Sequence, residues 1–95
     1  MGVYLVDRVF SGITLDQIIE AQRAVMGMSQ RFAARGEYVR YLRSIYIPGE
    51  SRCLCLFEAP SAQVVEEVNE VARVPFTRIV EAVDLSPEEE VGRLR

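Results

Sequence analysis

Four charged residues stand among aliphatic residues in short segments whose composition is typical of β-strands. They are Asp7, Arg43, Glu58 and Glu81, and each lies two positions from an aliphatic residue that would share its sheet face. A face with three carboxylates and one guanidinium is too charged for a sealed core and too apolar for open water. Partial burial raises the pKa of a carboxyl group, and a neutral acid facing an ionised one is the usual arrangement for acid–base chemistry. The sequence therefore predicts one functional surface on the sheet.

Three functions are open for this surface. The preferred one is a homodimeric protein that binds a small ligand or a metal ion near the four charged residues and Tyr41, with Arg43 orienting an anionic or carbonyl oxygen. The second is a cofactor-free enzyme of the cyclase, isomerase or monooxygenase type, with Glu58 and Glu81 as candidate acid/base residues and Tyr41 or Arg43 stabilising an oxyanion. The third is a structural dimer held by ion pairs without a ligand. No metal ligand is assigned.

Cys53 and Cys55 lie two positions apart, so their side chains point the same way from one strand. Their separation strains disulfide geometry, and a single Cys-x-Cys without a second pair is a weak zinc signal. Two small core residues beneath a helix are therefore the favoured interpretation, and a soft-metal site is the alternative.

Composition narrows the class of protein. The chain has 95 residues, 49% of them apolar, and a net charge of −3. This predicts one domain and gives no reason to expect nucleic acid as a partner. Histidine is absent, which removes the commonest metal ligand and the usual base at neutral pH. No signal peptide or membrane span is recognised, so we expect a cytoplasmic protein without a membrane partner.

Periodicity predicts six elements in the order strand–helix–strand–strand–helix–strand. The first helix should run from 15 to about 34 behind a capping box of Thr14 and Gln17, and Ser61 should cap the second helix before Pro75. The predicted strands are 3–10, 38–47, 52–59 and 77–85. This order predicts an α+β, ferredoxin-like βαββαβ fold in residues 1–85, with a four-stranded antiparallel sheet of order 4-1-3-2 and both helices on one face. The tail, 86–95, carries a helix-start signal and should be a short helix or a frayed end.

One sheet face is left without helices in this arrangement. It should carry Leu5, Asp7, Val9, Tyr41, Arg43, Ile45, Leu54, Leu56, Glu58, Ile79, Glu81 and Val83. Since an apolar patch of this kind marks an interface or a binding groove, we expect a second copy of the chain to cover it, as in dimeric α/β barrels. A monomer with a half-wet sheet is the alternative.

Three stretches, YLVDRVF at 4–10, YVRYLRSIYIPGESRCLCLFEAPS at 38–61 and PFTRIVEAVDL at 75–85, resemble the small ferredoxin-like family catalogued as domain of unknown function 4242. The resemblance implies a βαββαβ domain, a homodimer or higher homo-oligomer, and a nickel-binding label. Its signature positions map onto Asp7, Arg8, Arg43, Glu58 and Glu81. Nickel prefers imidazole and thiolate ligands, and a chain without histidine does not itself predict nickel, so the cofactor stays unknown.

Overall fold

The computed structural model describes residues 1–85, and the predicted tail helix lies outside the described residues. The elements are β1 (Gly2–Val9), α1 (Leu15–Ala34), β2 (Arg40–Ile47), β3 (Arg52–Ala59), α2 (Ala62–Val71) and β4 (Arg78–Ala82), with a short 3₁₀ turn between β2 and β3. The strands form one antiparallel sheet in the order β2-β3-β1-β4, which is the predicted order read from the other edge. The ferredoxin-like α+β fold is therefore confirmed. A domain boundary at residue 85 stays a prediction.

The first helix begins where its sequence predicts. The Thr14 hydroxyl accepts a hydrogen bond from the Gln17 amide at 3.2 Å, and the Gln17 side chain accepts one from the Thr14 amide at 2.9 Å. This reciprocal pair satisfies two N–H groups that have no partner inside the helix. At the other end, Gly36 adopts a φ of +90°, a conformation that a residue with a Cβ rarely takes.

The second helix differs from its prediction at both ends. Ser61 occupies the cap position with extended backbone, but its side chain makes no capping hydrogen bond. The helix ends at Val71, four residues before Pro75, and Arg73 follows with a φ of +58°. Because a proline disfavours helical backbone at the residue before it, the chain must leave the helix ahead of Val74.

The core lies between the helices and one face of the sheet. It is built from apolar side chains of the sheet, of both helices and of the segments that join them: Val6, Val25, Phe32, Val39, Cys53, Cys55, Phe57, Ala59, Val65, Val68 and Val74. Both cysteines are buried, as the core interpretation predicts. The helices therefore cover the sheet face that carries the cysteines.

An extra residue in β2 changes which side chains share a face. Arg43 pairs with Leu56 and Tyr41 pairs with Phe57, because Leu42 is bulged out of the register. The residue opposite Glu58 is Arg40. Since opposite residues of an antiparallel pair share a face, Tyr41 lies on the helix side of the sheet, and its predicted placement on the other face is wrong.

The last strand is also shifted by one residue from its predicted orientation. Glu81 pairs with Tyr4, and Arg78 pairs with Asp7. The amide and the hydroxyl of Thr77 both donate to the Asp7 carbonyl, at 2.7 and 2.8 Å, and this fixes the register. Ile79 consequently packs against the core, so the predicted placement of Ile79 and Glu81 away from the helices is wrong.

We call the sheet side without helices the open face. Pairing and alternation place on it Val3, Leu5, Asp7, Val9, Arg40, Arg43, Ile45, Ile47, Arg52, Leu54, Leu56, Glu58, Arg78, Val80 and Ala82. Its strands carry four arginines and two carboxylates, and the predicted excess of acidic groups is wrong. Basic residues outnumber acidic ones for two reasons. The bulge in β2 places Arg40 on this face, and the register of β4 places Arg78 there and Glu81 on the other side.

Candidate functional site

Asp7 is the most buried charged residue of the open face, at 5% exposure. Arg52 donates to both of its oxygens, from Nε at 3.0 Å and from a terminal nitrogen at 2.8 Å, and Arg78 Nε donates at 3.3 Å. These hydrogen bonds, those from Arg52 foremost, lower the pKa of Asp7 although burial opposes them. The carboxylate is therefore ionised and already paired within its own chain.

Arg43 and Glu58, which the sequence also placed on that face, have partners in the chain. Arg43 donates to Asp84 at 2.5 Å. Glu58 accepts a hydrogen bond from the Tyr38 hydroxyl at 2.6 Å, and this contact raises the pKa of Tyr38. Direct pairs of this kind are the arrangement expected of structural charges.

Two of the predicted site residues lie on the helix side of the sheet. The Tyr41 hydroxyl bonds Ser44 and accepts from the Gln22 amide at 2.8 Å, while burial raises its pKa. Glu81 is exposed beside Tyr4, away from Glu58. The structure therefore does not bring the five predicted residues together, and their role in binding or catalysis stays a prediction.

Arg8 lies in a buried cluster on the helix side, and the sequence pointed to it only as a signature position of the family that the chain resembles. Arg8 is 2% exposed, and one of its terminal nitrogens donates to the Asn69 side chain of α2 at 2.6 Å. The other makes long contacts to the carbonyls of Val74 and Pro75, at 3.4 and 3.3 Å. No carboxylate pairs with Arg8 among residues 1–85. The sequence could have indicated the burial of Arg8, because strand alternation places it between Val6 and Phe10 on the side that faces the core.

The two cysteines lie beside this guanidinium. Cys53 is directly opposite Arg8 on the neighbouring strand, and its Sγ is 3.8 Å from that of Cys55. The Ser44 hydroxyl donates to Cys55 Sγ at 2.9 Å. Hydrogen bonding from Cys53 and the charge of Arg8 lower the pKa of Cys55, while the contact with Cys55 and burial raise the pKa of Cys53.

A cavity of about 150 Å³ opens onto these thiols between α1 and the sheet. Leu15, Ile18 and Ile19 of α1 form its apolar wall, and Arg8, Cys53 and Cys55 contribute the groups that can act on a ligand. We call this space the thiol cavity. Its mixture of apolar wall and a few convergent polar groups is typical of small-ligand sites.

The donor set of the thiol cavity is small. Within residues 1–85, no group of three or more His, Cys, Asp or Glu side chains is close enough to hold a metal ion together. Both thiols are free, so a soft ion would find two sulfur donors. In the same part of the chain, no helix combines the length and the apolar composition needed to cross a bilayer.

Comparisons with known proteins agree with this fold. A solved structure, that of SCO4226 from Streptomyces coelicolor A3(2), is similar with a TM-score of 0.72 and 29% identity, over 88% of this chain and 98% of that one. No curated protein matches the chain. The model of the family described as nickel responsive protein SCO4226-like matches residues 4–82. The label suggested by the sequence, domain of unknown function 4242, stays a prediction. The chain belongs to the SCO4226-like family of nickel responsive proteins.

Proposed function

We propose that the protein is a homodimer that binds a small ligand or a metal ion in the thiol cavity. The observation that carries this proposal is the convergence of Arg8, Cys53 and Cys55 on one cavity beneath α1. The sequence suggested binding on the open face, but Asp7, the most buried charge there, is already satisfied by two arginines. The thiol cavity offers groups that are still available to a ligand.

The name of the family supports a metal ion as one ligand class. The family is described as nickel responsive, and nickel prefers imidazole and thiolate ligands. This chain has no histidine, and its described residues offer two thiols without a third metal-binding group nearby. The residues present therefore do not fit nickel with the four or more ligands that a divalent ion of this type usually takes.

The open face supports the homodimer. Aliphatic residues fill the positions between its paired charges, and Val9 and Ile45 are 52% and 56% exposed in the single chain. Since the charges of Asp7 and Arg43 are already matched within the chain, a second copy can cover the aliphatic residues around them without burying either of these two charges unpaired. A cytoplasmic location belongs to the same proposal, because reduced thiols persist there.

A pair of variants on α1 tests ligand binding in the cavity. Ala21 lines the thiol cavity, whereas Ala24, one turn further along the helix, is exposed and does not line it. Ala21→Leu should fill the space and Ala24→Leu should not. We expect native mass spectrometry of protein purified without an affinity tag to show a bound ligand or metal in the wild type and in Ala24→Leu, and to show it lost in Ala21→Leu.

Thermal unfolding in the presence of added ions gives a second measurement. A ligand that binds only the folded state raises the melting temperature in proportion to the logarithm of its concentration. Nickel, zinc, copper(I) and silver salts are the probes. A wild type that carries no ligand and whose melting temperature none of these ions raises would contradict the proposal, as would equal retention by Ala21→Leu.

A further inference from the structure

We propose that Cys53 and Cys55 bind a soft monovalent metal ion of the copper(I) class, with Arg8 as the counter-charge of the anionic complex that the ion forms with the two thiolates. The inference rests on the proposed function, since it assigns a ligand class to the thiol cavity. It differs from the description of the family, which names a divalent metal.

The spacing of the sulfurs allows one ion to bridge them. With metal–sulfur bonds of about 2.3 Å, the near-linear arrangement preferred by two-coordinate copper(I) places the sulfurs about 4.6 Å apart, so the observed separation of 3.8 Å must widen by about 0.8 Å. The strand holds both side chains on one face, so both sulfurs start close to the positions that the ion requires. The cavity supplies the path, because its apolar wall opens from α1 down to both sulfurs.

The number of donors favours a monovalent ion. Zinc takes four ligands in structural sites, and in catalytic sites it takes three from the protein and one from water. The described residues bring two thiols together and no third metal-binding side chain. Copper(I) and silver(I) are stable with two sulfur ligands and favour thiolate over oxygen.

The net charge of the cluster points to the same class. Two thiolates, one monovalent ion and the Arg8 guanidinium sum to zero. A divalent ion would leave a net positive charge among groups that are 2 to 3% exposed, and uncompensated charge in such a place is costly. This also gives a role to a buried arginine that pairs with no carboxylate among residues 1–85.

Ion competition on the reduced, metal-free protein tests the inference. Copper(I) is offered as its complex with a chromophoric chelator, silver(I) as a second monovalent probe, and zinc and nickel are titrated with an indicator dye. We expect one monovalent ion per chain, bound at least about a hundredfold more tightly by the wild type than by the variant with both Cys53→Ser and Cys55→Ser. Since these are the only two cysteines of the chain, that variant has no thiol.

The variants at Arg8 test the counter-charge. Arg8→Lys keeps the positive charge and Arg8→Met removes it, so copper(I) affinity should fall about tenfold in Arg8→Met and be restored towards the wild-type value in Arg8→Lys. Circular dichroism checks that each variant is folded. If Arg8→Met does not fold, the competition between ions on the wild type decides alone.

The outcomes separate the two proposals. Zinc or nickel bound by the thiols as tightly as copper(I) would overturn the monovalent site and leave the binding function standing. Copper(I) bound equally by the cysteine-free variant would also overturn the monovalent site. A wild type that binds none of these ions and carries no copurified ligand would contradict the proposed function itself.

Discussion

Asp7 forms ion pairs with two of the four arginines of the open face, Arg52 and Arg78. It is 5% exposed and accepts hydrogen bonds from Arg52 and Arg78, which are themselves partly in solvent. Charge-assisted bonds to a buried carboxylate are stronger than neutral ones, but exposure of the arginines weakens the Coulomb attraction. The residue therefore stabilises the central strands more than an exposed pair would.

Replacing Asp7 with Asn should lower the free energy of unfolding by about 1–2 kcal/mol at pH 7, because the amide keeps one acceptor but loses the charge. The pKa of Asp7 is lowered in the folded state, so its contribution is complete above the unfolded value of about 3.9 and is lost as pH falls through the folded value. Urea unfolding at pH 7 and pH 3 measures this. The difference between wild type and variant should shrink at the lower pH.

Glu20→Gln is the control for that experiment, because Glu20 is exposed on α1 and the structure gives it no charged partner within residues 1–85. It should be neutral within about 0.5 kcal/mol. A difference for Asp7→Asn that stays constant from pH 7 to pH 3 would show that the ionised form contributes nothing.

Asn69 supports Arg8 from the other side of the core. It is fully buried, accepts from Arg8 at 2.6 Å, and donates to the Val65 carbonyl at 2.7 Å. Asn69→Ala should cost about 2–3 kcal/mol of unfolding free energy, since it leaves a buried guanidinium nitrogen without its short acceptor. Urea unfolding checks this against Gln63→Ala on the exposed side of the same helix. Equal stability of the two variants would contradict the assigned role.

At the scale of the elements, the bulge in β2 decides which side chains reach each surface. Tyr41 and Arg43 keep their own partners, Phe57 and Leu56, only because Leu42 is an extra residue between them. A bulged residue can be removed without changing the pairing on either side of it. Removal of a paired residue instead moves the rest of the strand to the opposite face.

Two single-residue deletions test this difference. Deleting Leu42 should leave a cooperatively folding protein that loses no more than about 2 kcal/mol, the contribution of one half-buried leucine. Deleting Ser44 should cost considerably more, because it forces Arg43 or its neighbours into the core beside Cys55. Urea unfolding and near-ultraviolet circular dichroism measure both. A deletion of Ser44 that is as well tolerated as that of Leu42 would refute the register.

The elements also show what a sequence can and cannot predict. The start of α1 was predictable to the residue because Thr14 and Gln17 encode the cap locally. The orientation of β4 was not, since it has apolar side chains on both faces and its register depends on a contact between Thr77 and the distant Asp7. The bulge at Leu42 could not be predicted from the sequence either, because β2 contains no residue type that is typical of a bulge. The thiol cavity was missed for the same reason: it exists only through the packing of α1 over the sheet.

The whole molecule presents two faces with different properties. The two helices cover one face of the sheet, and the open face carries aliphatic residues between paired charges. We expect sedimentation to report a dimer, and Ile45→Glu to shift it towards the monomer, since a carboxylate buried without a partner is costly. Val71→Glu is a matched control, because Val71 on α2 is 55% exposed and Ile45 is 56% exposed.

A wild type that sediments as a monomer at high concentration would contradict the dimer, and so would equal behaviour of the two glutamate variants. Retained metal binding by a monomeric Ile45→Glu would show that the thiol cavity is complete within one chain. Each protomer would then carry its own site.

The contact between Arg43 and Asp84 has a practical consequence for such measurements. Arg43 belongs to β2 and Asp84 follows β4, and these strands are the two edges of the sheet, so the two side chains meet above its middle. The polypeptide thus leaves its last strand across the very surface on which protomers would associate. A bulky label attached at residue 84 or 85 would lie on that surface and would compete with self-association.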